Sequence, residues 1–314
     1  MSRKTIKELK EGESTSSLYL LSNVTKGLTN AGAPYLSLVF QDHTGTIDAK
    51  LWDANAAQTA IAQPGAVLLV NAEVLKYRNA LQLRINGLEK PNEEFSLSDF
   101  VVSSSMSEEE LRSVIFTAVE SMGNPIYKEI IQTLIKEREN DFFQYPAASR
   151  IHHDFVGGLA QHICGMLSLA GHLCSMYPTI NRDLLLSGVI LHDYGKLDEL
   201  SGAVMTEYTV EGKLLGHISI MQAEVYRVAE KLGYQNSEET TLLRHMILSH
   251  HGEYEFGSPV LPLIMEAECL SFIDNLDARI NMMEKALQQI EPGEFTPKIF
   301  SLENRTFYKP KGGK

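Results

Sequence analysis

Positive charge is what these 314 residues have too little of: 28 Lys and Arg face 40 Asp and Glu, a formal net charge of −12. Taken as one number, this opposes a nucleic-acid partner, because phosphate binding normally draws on a basic surplus that releases counterions. Cysteine is also scarce. Cys164, Cys174 and Cys269 form no CxxC pair and leave an odd count, which excludes a disulfide framework and suits a reducing compartment, with all three read as small core residues. Long apolar runs are missing too. The longest, 184–191 and 66–75, fall far short of the roughly 20 residues of a membrane span. The charged first ten residues lack the apolar core of a signal peptide. These absences leave a cytoplasmic protein with no membrane partner, and the length predicts two domains.

Up to about residue 90 the hydropathy alternates with period two, as in half-buried strands. Leu36, Leu38 and Phe40 share one face of a strand. After the turn 42–45, Ile47, Ala49 and Leu51 share one face of the next. A strand over 17–26, a short helix over 54–62 and a hairpin of 66–77 with 81–88 complete five strands. The helix falls between the third and fourth. This order resembles the oligonucleotide-binding (OB) barrel, with an SH3-like barrel as the competitor. Residues 92–106, rich in serine, read as a linker. Ser107 with Glu110 then forms a capping box, and the period becomes helical, with helices over 111–122, 159–173, 184–197 and 261–290. The predicted organisation is a barrel over 13–91, the linker, an all-α domain over 107–292 and a basic tail over 293–314.

Nine of the ten histidines lie between residues 152 and 251. One histidine in a helical domain is usually an ordinary core or surface residue, as His172 and His43 are read here, but crowding with carboxylates at helix ends points to metal ligation. The apolar helix 184–191 runs directly into His192-Asp193-Tyr194-Gly195-Lys196. Adjacent helical side chains diverge by about 100°, so an imidazole and a carboxylate can grip one ion from two sides, or Asp193 can bridge two. Lys196, four residues after His192, reads as sharing its face and neutralising a phosphate. Asp277, three after Asp274, reads either as the partner of an arginine or as a ligand. His152 and His153 read as helix caps or as substrate contacts.

His162, the His192-Asp193 doublet and Asp274, in this order across an all-α domain, resemble the signature of the HD superfamily of metal-dependent phosphohydrolases. The resemblance implies that His217, His250 and His251 complete a second metal position bridged by Asp193. It leaves His153 and His245 behind the ligands or facing phosphate. Imidazole and carboxylate donors without thiolate suit manganese, iron or zinc.

A barrel, a serine-rich linker and this helical domain together resemble the YhaM-type 3′→5′ exoribonucleases, over nearly the whole chain. The stretches that carry it are the Trp52 region, residues 152–162, 192–196 and 245–259. The resemblance implies hydrolysis of single-stranded RNA, with single-stranded DNA as a second substrate, to nucleoside monophosphates. It implies two divalent ions, Mn²⁺ first, with Fe²⁺, Co²⁺ or Zn²⁺ as alternatives, and it admits a homo-oligomer. Lys196 and Asp193 would be the catalytic pair. OB barrels stack bases on aromatic side chains beside basic residues that follow the backbone, and Lys26, Tyr35, Lys50, Trp52, Tyr77 and Arg78 are the candidates. The rival readings are an HD enzyme acting on a small nucleotide or cyclic dinucleotide, and a nucleic-acid-binding protein with structural metals.

The net charge is itself unevenly distributed. Residues 1–100 hold 10 basic and 11 acidic side chains, so nearly all of the acidity belongs to the metal-holding half.

Overall fold

Period-two alternation builds the expected strands. In a computed structural model, which describes residues 4–29, 32–77, 80–95, 99–101, 104–147, 155–202 and 206–312, strands β1 (Ser14–Leu28), β2 (Pro34–Asp42) and β3 (Gly45–Trp52) are followed by helix α1 (Ala56–Ile61) and strands β4 (Val67–Tyr77) and β5 (Ala80–Glu89). The strands close into a barrel in the order β1-β2-β3-β5-β4, with β3 and β5 parallel and every other pair antiparallel. Five strands closed this way, with a helix between the third and fourth, form an OB barrel. Register follows burial: Leu36 pairs with Leu51, Leu38 with Ala49 and Phe40 with Ile47, all buried. A slip of one residue would turn this whole set outward.

The barrel unit extends beyond the predicted bounds at both ends. Ile6 and Leu9 join its core, and Asp42 ties them in, accepting the Ile6 N–H at 2.6 Å on one oxygen and the Thr44 N–H at 2.7 Å on the other. In the stretch predicted to be a linker, Phe100 and Val101 are buried, and the Asp99 carbonyl lies 3.0 Å from His43 Nδ1. Residues 1–103 form one compact unit and 104–314 the other. On the far side of that division Ser104 donates to the Val156 carbonyl (3.0 Å) and Ser105 to the Gln161 side chain (2.9 Å). Among the described residues of this stretch, Phe100 and Val101 are packed into the first unit, and Ser104 and Ser105 are bonded within the second.

The second unit is all helix: α2 (Glu108–Glu120), α3 (Pro125–Glu137), α4 (Glu139–Gln144), α5 (Gly158–Met176), α6 (Arg182–Leu191), α7 (Lys196–Glu199), α8 (Val210–Leu232), α9 (Glu238–Ser249) and α10 (Met265–Gln288). The capping box at Ser107 and Glu110 opens α2 as read from sequence. Asn124 caps α3, with Pro125 in its first turn, where a missing N–H costs nothing. One core joins these helices and includes Ile130, Leu134, Ile163, Val189, Met246 and Leu270. No helix among the described residues is long and apolar enough to cross a membrane.

Two helical expectations change. The predicted helix 184–197 breaks after Leu191 into a turn and the short α7, and in that turn Gly195 lets α8 pass close by: a Cβ there would come within 2.3 Å of the His217 carbonyl oxygen. The basic tail is an ordered hairpin. Phe295 bridges to Tyr308 and Ile299 to Arg305, Leu302 is buried, and Glu303 takes a bidentate ion pair from Arg279 of α10 at 2.8 and 2.9 Å.

Candidate functional site

Two helix ends use one local device. His192 follows the last residue of α6 and His250 the last of α9, and each places its Nδ1 on the carbonyl three residues back: Val189 at 2.9 Å, Ile247 at 2.7 Å. A helix C-terminus leaves carbonyls without intrahelical partners, and an imidazole N–H satisfies one of them. A carbonyl only accepts, so Nδ1 carries the proton and Nε2 keeps its lone pair. His251 does the same with the Phe256 carbonyl (2.7 Å).

His217 is delivered differently. Helix α8 is broken at Gly216, whose φ of 72° a side-chain-bearing residue rarely adopts, and the helix restarts at His217. The freed His217 N–H and its Nδ1 both lie 3.1 Å from Glu199 Oε1. His162, in the middle of α5, has Nδ1 2.7 Å from Asp277 Oδ2 and Nε2 3.2 Å from Asp274 Oδ1, both carboxylates coming from α10. Burial works against charging His162, but these two carboxylates prevail and push it up to about 9. Burial pushes His250 well below the ordinary histidine range.

Asp193 lies between two groups of imidazoles. Its Oδ2 is 3.4 Å from His192 Nε2, and its Oδ1 is 3.4 Å from His217 Nε2 and 3.9 Å from His250 Nε2. Asp274 Oδ1 is 3.9 Å from His192 Nε2. The donor atoms of His162, His192 and Asp193 lie within 4.8 Å of one another, as do those of His217, His250 and His251. Burial disfavours the Asp193 carboxylate, yet the Lys196 ammonium, 2.6 Å from Oδ2, together with the neighbouring His192 and His217, outweighs it and holds the carboxyl well below its usual range.

Nε2 of His192, His217 and His250 and Oδ1 of Asp193 are buried without a hydrogen-bond partner. An unsatisfied buried polar atom costs about 1–3 kcal/mol, and several converging on one point are not a protein core. They are what a divalent cation requires, namely neutral imidazole lone pairs and a carboxylate already stripped of water, oriented from behind. The residues fit such an ion. Nitrogen and oxygen donors without thiolate suit a borderline or hard metal.

Around these ligands the structure adds partners that the sequence does not show. Lys196 lies past the end of α6, so a four-residue helical spacing from His192 no longer sets its direction; it pairs with Asp193. His245, expected behind the ligands or facing phosphate, accepts the Leu263 N–H on Nε2 at 3.0 Å and so supports the loop before α10. Asp277 holds the back of His162, and Glu199, which no periodicity singles out, holds the back of His217. His152 and His153 lie outside the described residues.

On the barrel the outer face of β2 and β3 carries the aromatic candidates. Tyr35 and Trp52 are cross-strand partners with ring centroids 5.1 Å apart, and Lys50 Nζ stands 5.1 Å over the Tyr35 ring. Arg84 of β5, not picked out from the sequence, pairs with Lys50 and holds Glu73. Strand alternation places Lys26, partner of buried Leu36, on the face opposite Tyr35. Tyr77 pairs with Ala80, and β5 pairs Gln82 with Asp48, so Tyr77 stands about 20 Å along the barrel from Trp52. Arg78 lies outside the described residues.

An all-α domain whose buried imidazoles surround a His-Asp doublet defines a metal-dependent phosphohydrolase of HD type, and the HD domain family matches residues 159–279. The chain is 46% identical over 301 residues to the 3′-5′ exoribonuclease YhaM of Geobacillus sp. (strain WCH70), covering 95% of this chain and 93% of that one. It is likewise 46% identical to the YhaM of Bacillus subtilis (strain 168), over 95% of this chain and 96% of that protein. The YhaM of Bacillus pumilus (strain SAFR-032) is 46% identical over 303 residues, with the same coverage. The chain belongs to the YhaM family of 3′-5′ exoribonucleases.

Proposed function

We propose that this chain hydrolyses single-stranded RNA from its 3′ end to nucleoside monophosphates, with the helical unit cutting and the barrel holding the strand. The observation that carries this reading is the group of buried, partnerless Nε2 atoms of His192, His217 and His250 around the Asp193 carboxylate. His162, His192, Asp193 and Asp274 would hold one divalent ion and His217, His250 and His251 a second, with Asp193 lying between the two groups. Mn²⁺ is the first choice, with Fe²⁺, Co²⁺ and Zn²⁺ behind it. Such ions, when bound, generate hydroxide from water near neutral pH and offset charge on the phosphate.

The rest falls to the chain itself. Lys196, 2.6 Å from Asp193, keeps that carboxylate ionised and places a cation beside the ligand cluster, where a phosphodiester's spreading negative charge needs one. Asp277 and Glu199 fix the tautomers of His162 and His217. On the barrel, Tyr35 and Trp52 offer faces for stacking bases while Lys50 and Arg84 follow phosphates. A reducing cytoplasm suits the three free thiols. The relatives' shared name and nearly full-length match support the choice of RNA.

The test is a single-stranded RNA labelled at its 5′ end, incubated with the protein and Mn²⁺ beside a single-stranded DNA of the same sequence. A ladder shortening one nucleotide at a time is expected on RNA. Internal fragments, or turnover confined to free nucleotides and cyclic dinucleotides, would overturn the reading.

A further inference from the structure

The five clustered imidazoles are held from behind in two ways. His192, His250 and His251 use backbone carbonyls, while His162 and His217 use carboxylates, Asp277 and Glu199. Each half of the cluster therefore contains one carboxylate-backed histidine. The difference matters because a carbonyl-backed ring at a helix end is oriented by its own helix, whereas His217, following the break at Gly216, has no such helix end behind it. Its orientation comes from a single oxygen, Glu199 Oε1, which accepts both the His217 N–H and the Nδ1–H at 3.1 Å.

Glu199 is itself locked. The residue is buried, its carbonyl accepts the Thr209 N–H at 2.9 Å, and a Cβ on Gly212 would come within 2.2 Å of that carbonyl oxygen, so α8 packs directly on it. A residue whose backbone is fixed this firmly, and whose side chain sets one oxygen on two N–H groups of one residue, has the form of an anchor. With Nδ1–H committed to Glu199, His217 directs a basic Nε2 to within 3.4 Å of Asp193 Oδ1, the same oxygen that His250 Nε2 approaches.

We infer that Glu199 is the positioning residue for the His217–His250–His251 half of the centre, and that it sets that half's affinity for a divalent cation separately from the half containing His162, His192 and Asp274. The inference rests on the two-ion reading above. Replacing the carboxylate by an amide removes its charge while leaving one oxygen that can still accept both N–H groups, and loss of a charged partner behind a metal-bound histidine typically weakens metal affinity about 10–100-fold. Only one of two ions should feel it.

The experiment uses the full chain, stripped of metal, with Mn²⁺ as the probe and no substrate, reading free Mn²⁺ by its electron paramagnetic resonance signal. Wild type should bind two ions per chain. Glu199→Gln, nearly isosteric, should bind one ion with wild-type affinity and the second about 10–100-fold more weakly. Asp277→Asn should spare the ion that Glu199→Gln weakens and weaken the other. Glu199→Asp, which keeps the charge but shortens the reach, should weaken the same ion as Glu199→Gln by less, and it keeps the question open to decision should the Gln variant not fold. Metal-free melting temperatures of the folded variants should match wild type, separating positioning from general stability. Two ions bound as in wild type by Glu199→Gln, or both weakened together, would overturn the role of Glu199. Wild type binding fewer than two ions overturns the two-ion reading as well, a distinct failure visible before any variant is made.

Discussion

The barrel unit and the helical unit present their chemistry in opposite ways. On the barrel the candidate groups are on the outside: Trp52 is 48% exposed, Tyr35 lies beside it and Lys50 stands over the ring, while the inner face is apolar core. In the helical unit they are inside: His162, His192 and His250 are 0% exposed, and several polar atoms lack a protein partner. A surface that binds a long, flexible, charged strand pays little for its polar groups, because water serves them until the strand arrives. A metal centre has to desolvate its donors beforehand, and the fold bears that cost until an ion offsets it. Capture and cutting should therefore respond separately to substitution.

The largest effect should come from Asp193→Asn, since one substitution removes charge between both halves of the centre. Loss of turnover of about 10³-fold or more on labelled RNA, equivalent to about 4 kcal/mol, is expected, with strand affinity little changed. Equal loss of binding and turnover would show that the two units do not divide the work. Chelation comes next. An ion present at about 100 times its dissociation constant stabilises the unit that binds it by about 2.7 kcal/mol, so stripping metal should lower the helical unit's melting transition by roughly 5–10 °C in calorimetry. The barrel transition should stay in place. A shift in the barrel transition instead would mean that the buried donors are not where the ion binds.

Much of this division was legible in the sequence because period two separates faces mechanically: once Leu36, Leu38 and Phe40 are inside, Tyr35 is outside. The His-Asp doublet at the end of an apolar run was equally legible. What could not be read were relations that cross the chain. Glu199 and His217 are 18 residues apart and meet where α8, broken at Gly216, packs closely on α7 through Gly195 and Gly212. The pairing of Lys196 with Asp193 could not be read either, because an apolar run says where a helix is buried but not where it stops. The order within residues 4–9 and in the 293–312 hairpin was missed because both lack periodicity and are held by individual hydrogen bonds and ion pairs, such as Asp42 to Ile6 and Arg279 to Glu303. Arg84 was missed because only the parallel pairing of β3 with β5 brings it beside Lys50.

A smaller effect, on the barrel alone, should follow Tyr35→Ala with Trp52→Ala. Base stacking on an aromatic ring contributes about 1–3 kcal/mol, so affinity for a long single strand should fall roughly 10–100-fold, while hydrolysis of a small phosphodiester such as bis(p-nitrophenyl) phosphate continues at the wild-type rate. Unchanged strand affinity would leave the small-nucleotide reading as the better one.

The finest test separates two lysines that composition treats alike. Lys50 shares the outer face with Tyr35, whereas Lys26 falls on the opposite side of its strand. Each phosphate contact contributes about 0.7 to the slope of log affinity against log salt on single strands, so Lys50→Ala should flatten that slope by about this amount and Lys26→Ala should leave it unaltered. If Lys26→Ala flattens the slope instead, the strand passes over the rim of the barrel, and Tyr35 and Trp52 are there to brace β2 against β3.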